Sequence, residues 1–247
     1  AEVAEARGVR TTTAFFGAET AKRLAAEGFS ADLVCANNVL AHVPDINDFV
    51  EGFRVLLKPE AVATFEFPHL LNLIEKSQFD TIYHEHYSYL SLLAVEKLFG
   101  RHGLAVFDVQ QVPTHGGSLR IFAAHQRARP TEPSVLALRA AEAKAGLDKV
   151  ETYAAFSRQI VKVKCDVLEF LIAKRREGKK VVGYGAPAKG NTLLNYCGIG
   201  REFLPFTVDL SPQKQGHYLP GTHLPILAPD AIFKEKPDFI VILPRNL

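Results

Sequence analysis

Methionine is absent from the 247 residues, and cysteine is scarce: Cys35, Cys165 and Cys197 are odd in number and far apart. Such cysteines supply neither a disulfide framework nor a Cys-x-x-Cys metal pair, and they suit a reducing, cytoplasmic compartment. With no initiator residue, and with an opening Ala1-Glu2-Val3-Ala4-Glu5-Ala6-Arg7-Gly8 that reads as the last turns of a helix stopped by glycine, the chain is expected to be a fragment of a longer protein. No apolar run approaches the roughly 20 residues needed to span a bilayer, and no signal peptide opens the sequence. An excess of charge of one sign is also lacking. A net charge of +2 argues against nucleic acid or an anionic membrane as a partner and leaves room only for a local basic pocket. What remains, 47% hydrophobic and 23% charged residues, describes a globular protein of one large or two modest domains.

The first half alternates strand and helix signals. Residues 9–16 are β-branched and aromatic and predict a strand, 19–27 a helix closed by Gly28, and 31–37 a short apolar strand ending at Asn37-Asn38. Residues 45–57 have helical spacing with an acidic start and a stop at Lys58-Pro59, and 61–67 form a further buried-strand candidate. After a helix over 92–102, strands at 104–112 and 118–124 flank the turn Pro113-Thr114-His115-Gly116-Gly117, a hairpin at the edge of a mostly parallel sheet. Residues 126–133 read as a linker and 134–177 as almost continuous helix broken near Gly146. A second α/β unit follows, with a strand at 179–184, a glycine-bearing turn at 185–190, a helix at 192–196 and strands at 203–209 and 238–243.

Chemistry concentrates in Tyr83-His84-Glu85-His86-Tyr87-Ser88-Tyr89. Imidazole, carboxylate and phenol can take, relay and return a proton near neutral pH. The segment therefore reads as an acid–base site, a metal site or a polar knot in the core. In an extended segment His84 and His86 would share one face, an arrangement a metal could use. There is, however, no helical His-Glu-x-x-His and no second ligand pair, so no metal is expected. Gly183-Tyr184-Gly185-Ala186-Pro187-Ala188-Lys189-Gly190 joins a strand to a helix, where backbone amides and Lys189 suit a phosphate or diphosphate; a purely structural tight turn is the alternative. Asp209, at the end of the next strand, suits a ribose or sugar hydroxyl. His115-Gly116-Gly117-Ser118-Leu119-Arg120 reads equally as an anion cradle or as a hairpin turn with a solvated arginine. The loop Lys214 to His223 reads either as a ligand contact or as a well-ordered turn. Asn37 through Asp45, with His42 at its centre, lies just past a strand, where parallel α/β sheets place their ligands.

Taken in order, Asn37 through Asp45, Glu66-Phe67-Pro68-His69-Leu70, Tyr83 through Tyr89, His115 through Arg120, Gly183 through Gly190 and Lys214 through Pro225 closely resemble the S-adenosylmethionine-dependent C-methyltransferases that act on nucleotide-linked keto-deoxysugars. The resemblance implies an α/β chain with a class I methyltransferase Rossmann-like sheet, incomplete at its N-terminus, over residues 1–126. A linker and helical connector over 127–178 and a Rossmann-like sugar-nucleotide-binding domain over 179–247 would follow. It further implies S-adenosylmethionine as cofactor. Zinc is expected only in the family's N-terminal four-cysteine module, whose cysteines do not occur here. The implied base that removes the proton beside the sugar ketone is His86 or His42, with Tyr83 and Glu85 orienting the base or stabilising the enolate oxygen. Asn37 and Asn38 would line the donor pocket, and Ser118, Arg120, Gly185, Ala186, Lys189 and Asn191 would meet the nucleotide diphosphate. An O- or N-methyltransferase on a related sugar nucleotide, and a non-catalytic sugar-nucleotide-binding protein, are the alternatives.

Overall fold

Helices and strands alternate along residues 1–244, the part of the chain that the computed structural model describes. The helices are α1 (Glu2–Glu5), α2 (Ala18–Ala26), α3 (Ile46–Leu56), α4 (Leu70–Glu75), α5 (Leu92–Arg101), α6 (Pro133–Ala145), α7 (Val150–Arg176), α8 (Ala188–Cys197) and α9 (Asp230–Glu235). The strands are β1 (Ala31–Asn37), β2 (Leu57–Pro68), β3 (Leu104–Val112), β4 (Ser118–His125), β5 (Val181–Tyr184), β6 (Thr207–Val208), β7 (Ile226–Leu227) and β8 (Phe239–Ile242). The α/β class expected from the sequence is the class observed. They form two compact units, one of Ala1–Phe67, Tyr87–Val112 and Leu119–Lys144, the other of Pro68–His86, Pro113–Ser118 and the chain from Ala145 onward. The path thus leaves and re-enters each unit.

The first unit is built on a mixed sheet in the order β1-β2-β4-β3. β1 runs parallel to β2, with Cys35 opposite Thr64 and Asn37 opposite Glu66. β3 and β4 are joined through residues 113–117, too short a link for a parallel crossover, so the expected edge hairpin is present. Its core is phenylalanine-rich because the chain has 17 of them and no Met or Trp. α3 starts at Asp45, whose carboxylate accepts the Asp48 amide at 2.9 Å, and it turns Phe49, Val50 and Phe53 inward. Ring centroids of Phe53 and Phe65 lie 4.5 Å apart, and those of Phe65 and Phe99 lie 5.0 Å apart. Burial of each such ring stabilises by about 1.5–3 kcal/mol, with an increment of about 0.5–1.5 kcal/mol from each tilted or edge-on pair.

The second unit carries an all-parallel sheet in the order β7-β6-β5-β8. Val182, Phe206 and Val208 form one apolar cluster in it, with Tyr184, Ala231 and Ile232 packed on them; Leu193, Leu194, Ile199 and Leu204 are buried as well. Both ends of β5 matter for position: its carboxyl end delivers Gly185 to the amino end of α8.

Four local expectations are corrected. Residues 9–16 form no strand: of this stretch only Phe16 reaches the core, edge-on to Phe49 and Phe53, so the alternation a half-buried strand requires is not realised. The buried strand expected at 61–67 begins earlier: the helix stops ahead of Lys58-Pro59 as expected, but β2 starts directly at Leu57, and Pro59 falls where the register to β1 shifts between Ala31 and Leu33. The strand at 203–209 shrinks to Thr207–Val208, since Phe203 and Leu204 close a turn on the Gly200 carbonyl. Residues 83–86 are a turn rather than an extended run, with the His86 amide donating to the Tyr83 carbonyl at 3.0 Å. The turn removes the two-residue alternation by which His84 and His86 were to share a face.

Candidate active site

In the second unit the Tyr83–His86 turn, the start of α8 and the loop after β6 enclose one open cleft of about 510 Å³, lined by Tyr83, His84 and Glu85 on one side, Ala186, Pro187, Ala188 and Asn191 on another, and Leu219 and Pro220 across from them. Of the residues expected at the site, Tyr83, Glu85, Ala186 and Asn191 therefore line one cleft.

Each wall has a local cause. The turn is anchored by Phe79, Asp80 and Thr81, all buried, and Phe79 packs edge-on against Tyr196 of α8 at 5.1 Å. His86 is half-buried beside the Tyr83 ring, centroids 4.6 Å apart. Its Nδ1 lies 2.9 Å from the Thr81 carbonyl oxygen. A carbonyl can only accept, so Nδ1 carries the hydrogen, and the neutral ring keeps its lone pair on Nε2. That tautomer is the one a general base needs. Gly185 sits at φ +89°, and a Cβ there would meet the Pro244 ring at 2.6 Å, so backbone and crowding both require glycine. Asp209 holds the loop rather than facing outward: its carboxylate accepts from the Ala186 amide at 2.7 Å and from the Ser211 amide at 2.8 Å. Lys214 donates to the Ala186 carbonyl at 3.0 Å. The loop from Lys214 to His223 is an ordered turn, closed by the Leu219 amide on the Leu224 carbonyl and the His223 amide on the Leu219 carbonyl, both at 2.9 Å; Leu219 and Pro220 at its tip also line the cleft.

The turn at 114–118 belongs to the same unit. His115 adopts φ +55° there, the Gly116 carbonyl accepts from Lys76 and from Gln78 at 3.0 Å each, and Lys189 reaches the His115 carbonyl at 3.5 Å. Ser118 is fully buried and donates to the Thr114 carbonyl at 3.1 Å. The first unit carries the other candidates. Asn37 and Asn38 are exposed at the carboxyl end of β1, where the Asn38 amide donates to the Glu66 carbonyl at 2.7 Å. His42 ends a short 3₁₀ turn, and the neighbouring Ala41 carbonyl accepts from Tyr87 and Ser88. Arg120 pairs with the buried Glu66 through Nη2 at 2.7 Å and Nε at 3.2 Å. Sequence reasoning did not single out Thr192, Asn195 or Tyr196 as lining residues; the four-residue spacing of Thr192 and Tyr196 behind Ala188 on one helix was the available signal. Among the described residues no group of three or more His, Cys, Asp or Glu is placed to hold a metal ion, and no helix is long and apolar enough to cross a membrane.

Residues 113–247 match the family described as the C-methyltransferase C-terminal domain, and residues 4–109 match a methyltransferase domain. The chain belongs to this C-methyltransferase family. It is 39% identical over 247 residues to C-methyltransferase NovU of Streptomyces niveus, a match that covers 100% of this chain and 59% of that protein. The chain thus spans about three-fifths of its curated relative's length. Among solved structures, a SAM-dependent methyltransferase of Thermotoga maritima aligns over 50% of this chain and 67% of its own, at 15% identity and a TM-score of 0.38. The magnesium protoporphyrin IX methyltransferase of Synechocystis with bound SAH aligns over 40% and 47%, at 16% identity and a TM-score of 0.32.

Proposed function

We propose that the protein methylates a carbon of a nucleotide-linked keto-deoxysugar, using S-adenosylmethionine as donor. The observation that carries this reading is the single cleft in which proton-transfer groups, Tyr83 and Glu85, face the Ala186–Ala188 segment at the start of α8. A sugar nucleotide joins the two needs: an acidic C–H beside a ketone, and a diphosphate that backbone amides can meet.

In this reading His86, with Nδ1 turned to the Thr81 carbonyl, accepts the proton from the carbon next to the ketone at Nε2. The electron pair of the broken C–H bond moves onto the ketone oxygen as an enolate, and Tyr83 and Glu85 orient the base or hydrogen-bond the oxygen. His42 is the second candidate for a proton step. Ala186 and Asn191, which line the cleft, and Gly185 beside them are the residues assigned to the diphosphate; Lys189 and Ser118 turn instead to the His115 and Thr114 carbonyls, and Arg120 to Glu66. Asn37 and Asn38, exposed at a strand's carboxyl end, fit the polar edge of the donor and would hold it. The donor, when bound, supplies an electrophilic methyl group.

The test is hydrogen exchange at the carbon beside the ketone, followed by NMR in deuterated water with the full-length protein, the donor and a keto-sugar nucleotide. Exchange is expected with the unaltered protein. His86→Ala should abolish both exchange and methyl transfer while donor binding survives. Near-normal turnover in His86→Ala would sink the base assignment, and absence of exchange in the unaltered protein would sink the chemistry.

A further inference from the structure

The cleft that unites Tyr83–Glu85 with the start of α8 contains no lysine or arginine among its described lining residues. Lys189, the cation the sequence suggested for this place, does not line it and reaches toward the His115 carbonyl instead. Lys214 lies behind the wall, on the Ala186 carbonyl and within 3.7 Å of Asp209. Only His84 among the lining side chains can acquire a positive charge. It is also the one member of the Tyr83-His84-Glu85-His86 turn that no hydrogen bond, ion pair or ring contact engages among the described residues, and it is exposed.

We propose that His84 is the cleft's cationic contact for a diphosphate-bearing ligand, so that ligand binding itself switches on as the imidazole takes up a proton. The inference rests on the sugar-nucleotide reading of the cleft and gives His84 a role separate from proton abstraction by His86. Its physical basis is that imidazole is the side chain whose charge ordinarily changes between about pH 5 and 8, and that an oxyanion at hydrogen-bond distance favours the charged ring. The other titratable groups facing the cleft are Tyr83 and Glu85 on the same turn and Tyr196 on α8; Leu219 and Pro220 bring none. Of these, Glu85 brings a carboxyl group, whose anionic form opposes a diphosphate and increases the need for a facing cation.

The probes are ADP-, GDP-, UDP- and TDP-glucose, whose diphosphates are esterified at both ends and keep one charge across the window and whose sugar has no ketone to acidify a C–H, titrated calorimetrically into the protein at about pH 6 and about pH 8. The unaltered protein should bind at least one of them about five- to tenfold more tightly at the lower pH, the range open to one exposed charge pair. His84→Gln, which keeps a donor but no charge, should bind weakly and equally at both. His84→Lys, charged throughout, should bind equally at both and as tightly as the unaltered protein does at the lower pH. Binding in His84→Gln that keeps the affinity and pH dependence of the unaltered protein would overturn the assignment of His84 alone. Failure of the unaltered protein to bind any of the four would overturn the sugar-nucleotide reading and this inference with it.

Discussion

Replacing Glu142 should weaken the first unit in a graded way. The carboxylate is fully buried on α6 and accepts the amides of Leu92 and Leu93 at 2.7 and 2.9 Å. These are two of the four amides at the start of α5 that have no partner inside the helix. A third, that of Ala94, is met by the Ser91 hydroxyl at 3.1 Å, and the Ser91 carbonyl accepts the first intrahelical bond, from Val95, also at 3.1 Å. Two of the orphan donors are therefore satisfied by one carboxylate from another helix. Glu142→Ala removes both charge-assisted bonds and leaves the Leu92 amide buried without an acceptor, at about 1.5–3 kcal/mol. The emptied space adds about 1 kcal/mol more. Glu142→Gln keeps the volume but sets an amide donor against one of the two N–H groups, so about half the loss is expected. Urea denaturation followed by circular dichroism should rank the proteins Glu142, then Gln, then Ala. Hydrogen exchange should quicken first at Leu92 and Leu93. An alanine variant within about 0.5 kcal/mol of the unaltered protein would refute the capping argument.

Acid should reveal a second contribution. The hydrogen bond from Arg54 holds the Glu51 carboxyl well below the ordinary glutamate range, at about 2, with His102 assisting and burial opposing. Because the folded value is the lower one, the stabilisation is complete above the ordinary value of 4.5 and is lost as pH falls toward about 2. After screening it amounts to about 1–2 kcal/mol. Stability curves of the unaltered protein and Glu51→Gln should therefore converge across that window, and parallel curves would contradict the pairing. Gly185→Ala places a Cβ against Pro244 at a φ of +89°. It should cost about 1–3 kcal/mol and weaken nucleoside diphosphate binding; unchanged melting and unchanged affinity would show that the loop tolerates the side chain.

Much of the architecture is local and was legible. β1 spans the very residues the apolar run marks, and Asp45 caps a helix where its side chain announces a start. Residues 9–16 misled because β-branched composition says nothing about whether a neighbouring edge is available. The candidate site was legible as chemistry but not as geometry. The motifs named Tyr83, Glu85, Ala186 and Asn191, while which lysine lines the cleft depends on where a long side chain finds an acceptor. Lys189 and Lys214 find backbone carbonyls, a choice no spacing encodes. Asp209 shows the same limit: its strand-end position suggested a ligand contact, but the nearest donor is the Ala186 amide.

The cleft is assembled from pieces that are remote along the chain. Tyr83, His84 and Glu85 come from a short excursion, Pro68–His86, which belongs with the unit otherwise composed largely of the residues after Ala145. The stretch from residue 113 onward that matches the C-methyltransferase C-terminal domain thus holds the α8 wall of the cleft and lacks the wall that bears its acid–base groups. No single cut in the polypeptide yields a piece that contains this unit alone and whole. Inheritance of the cleft by recombination, or its transplantation into another protein, has to carry two separated gene segments together.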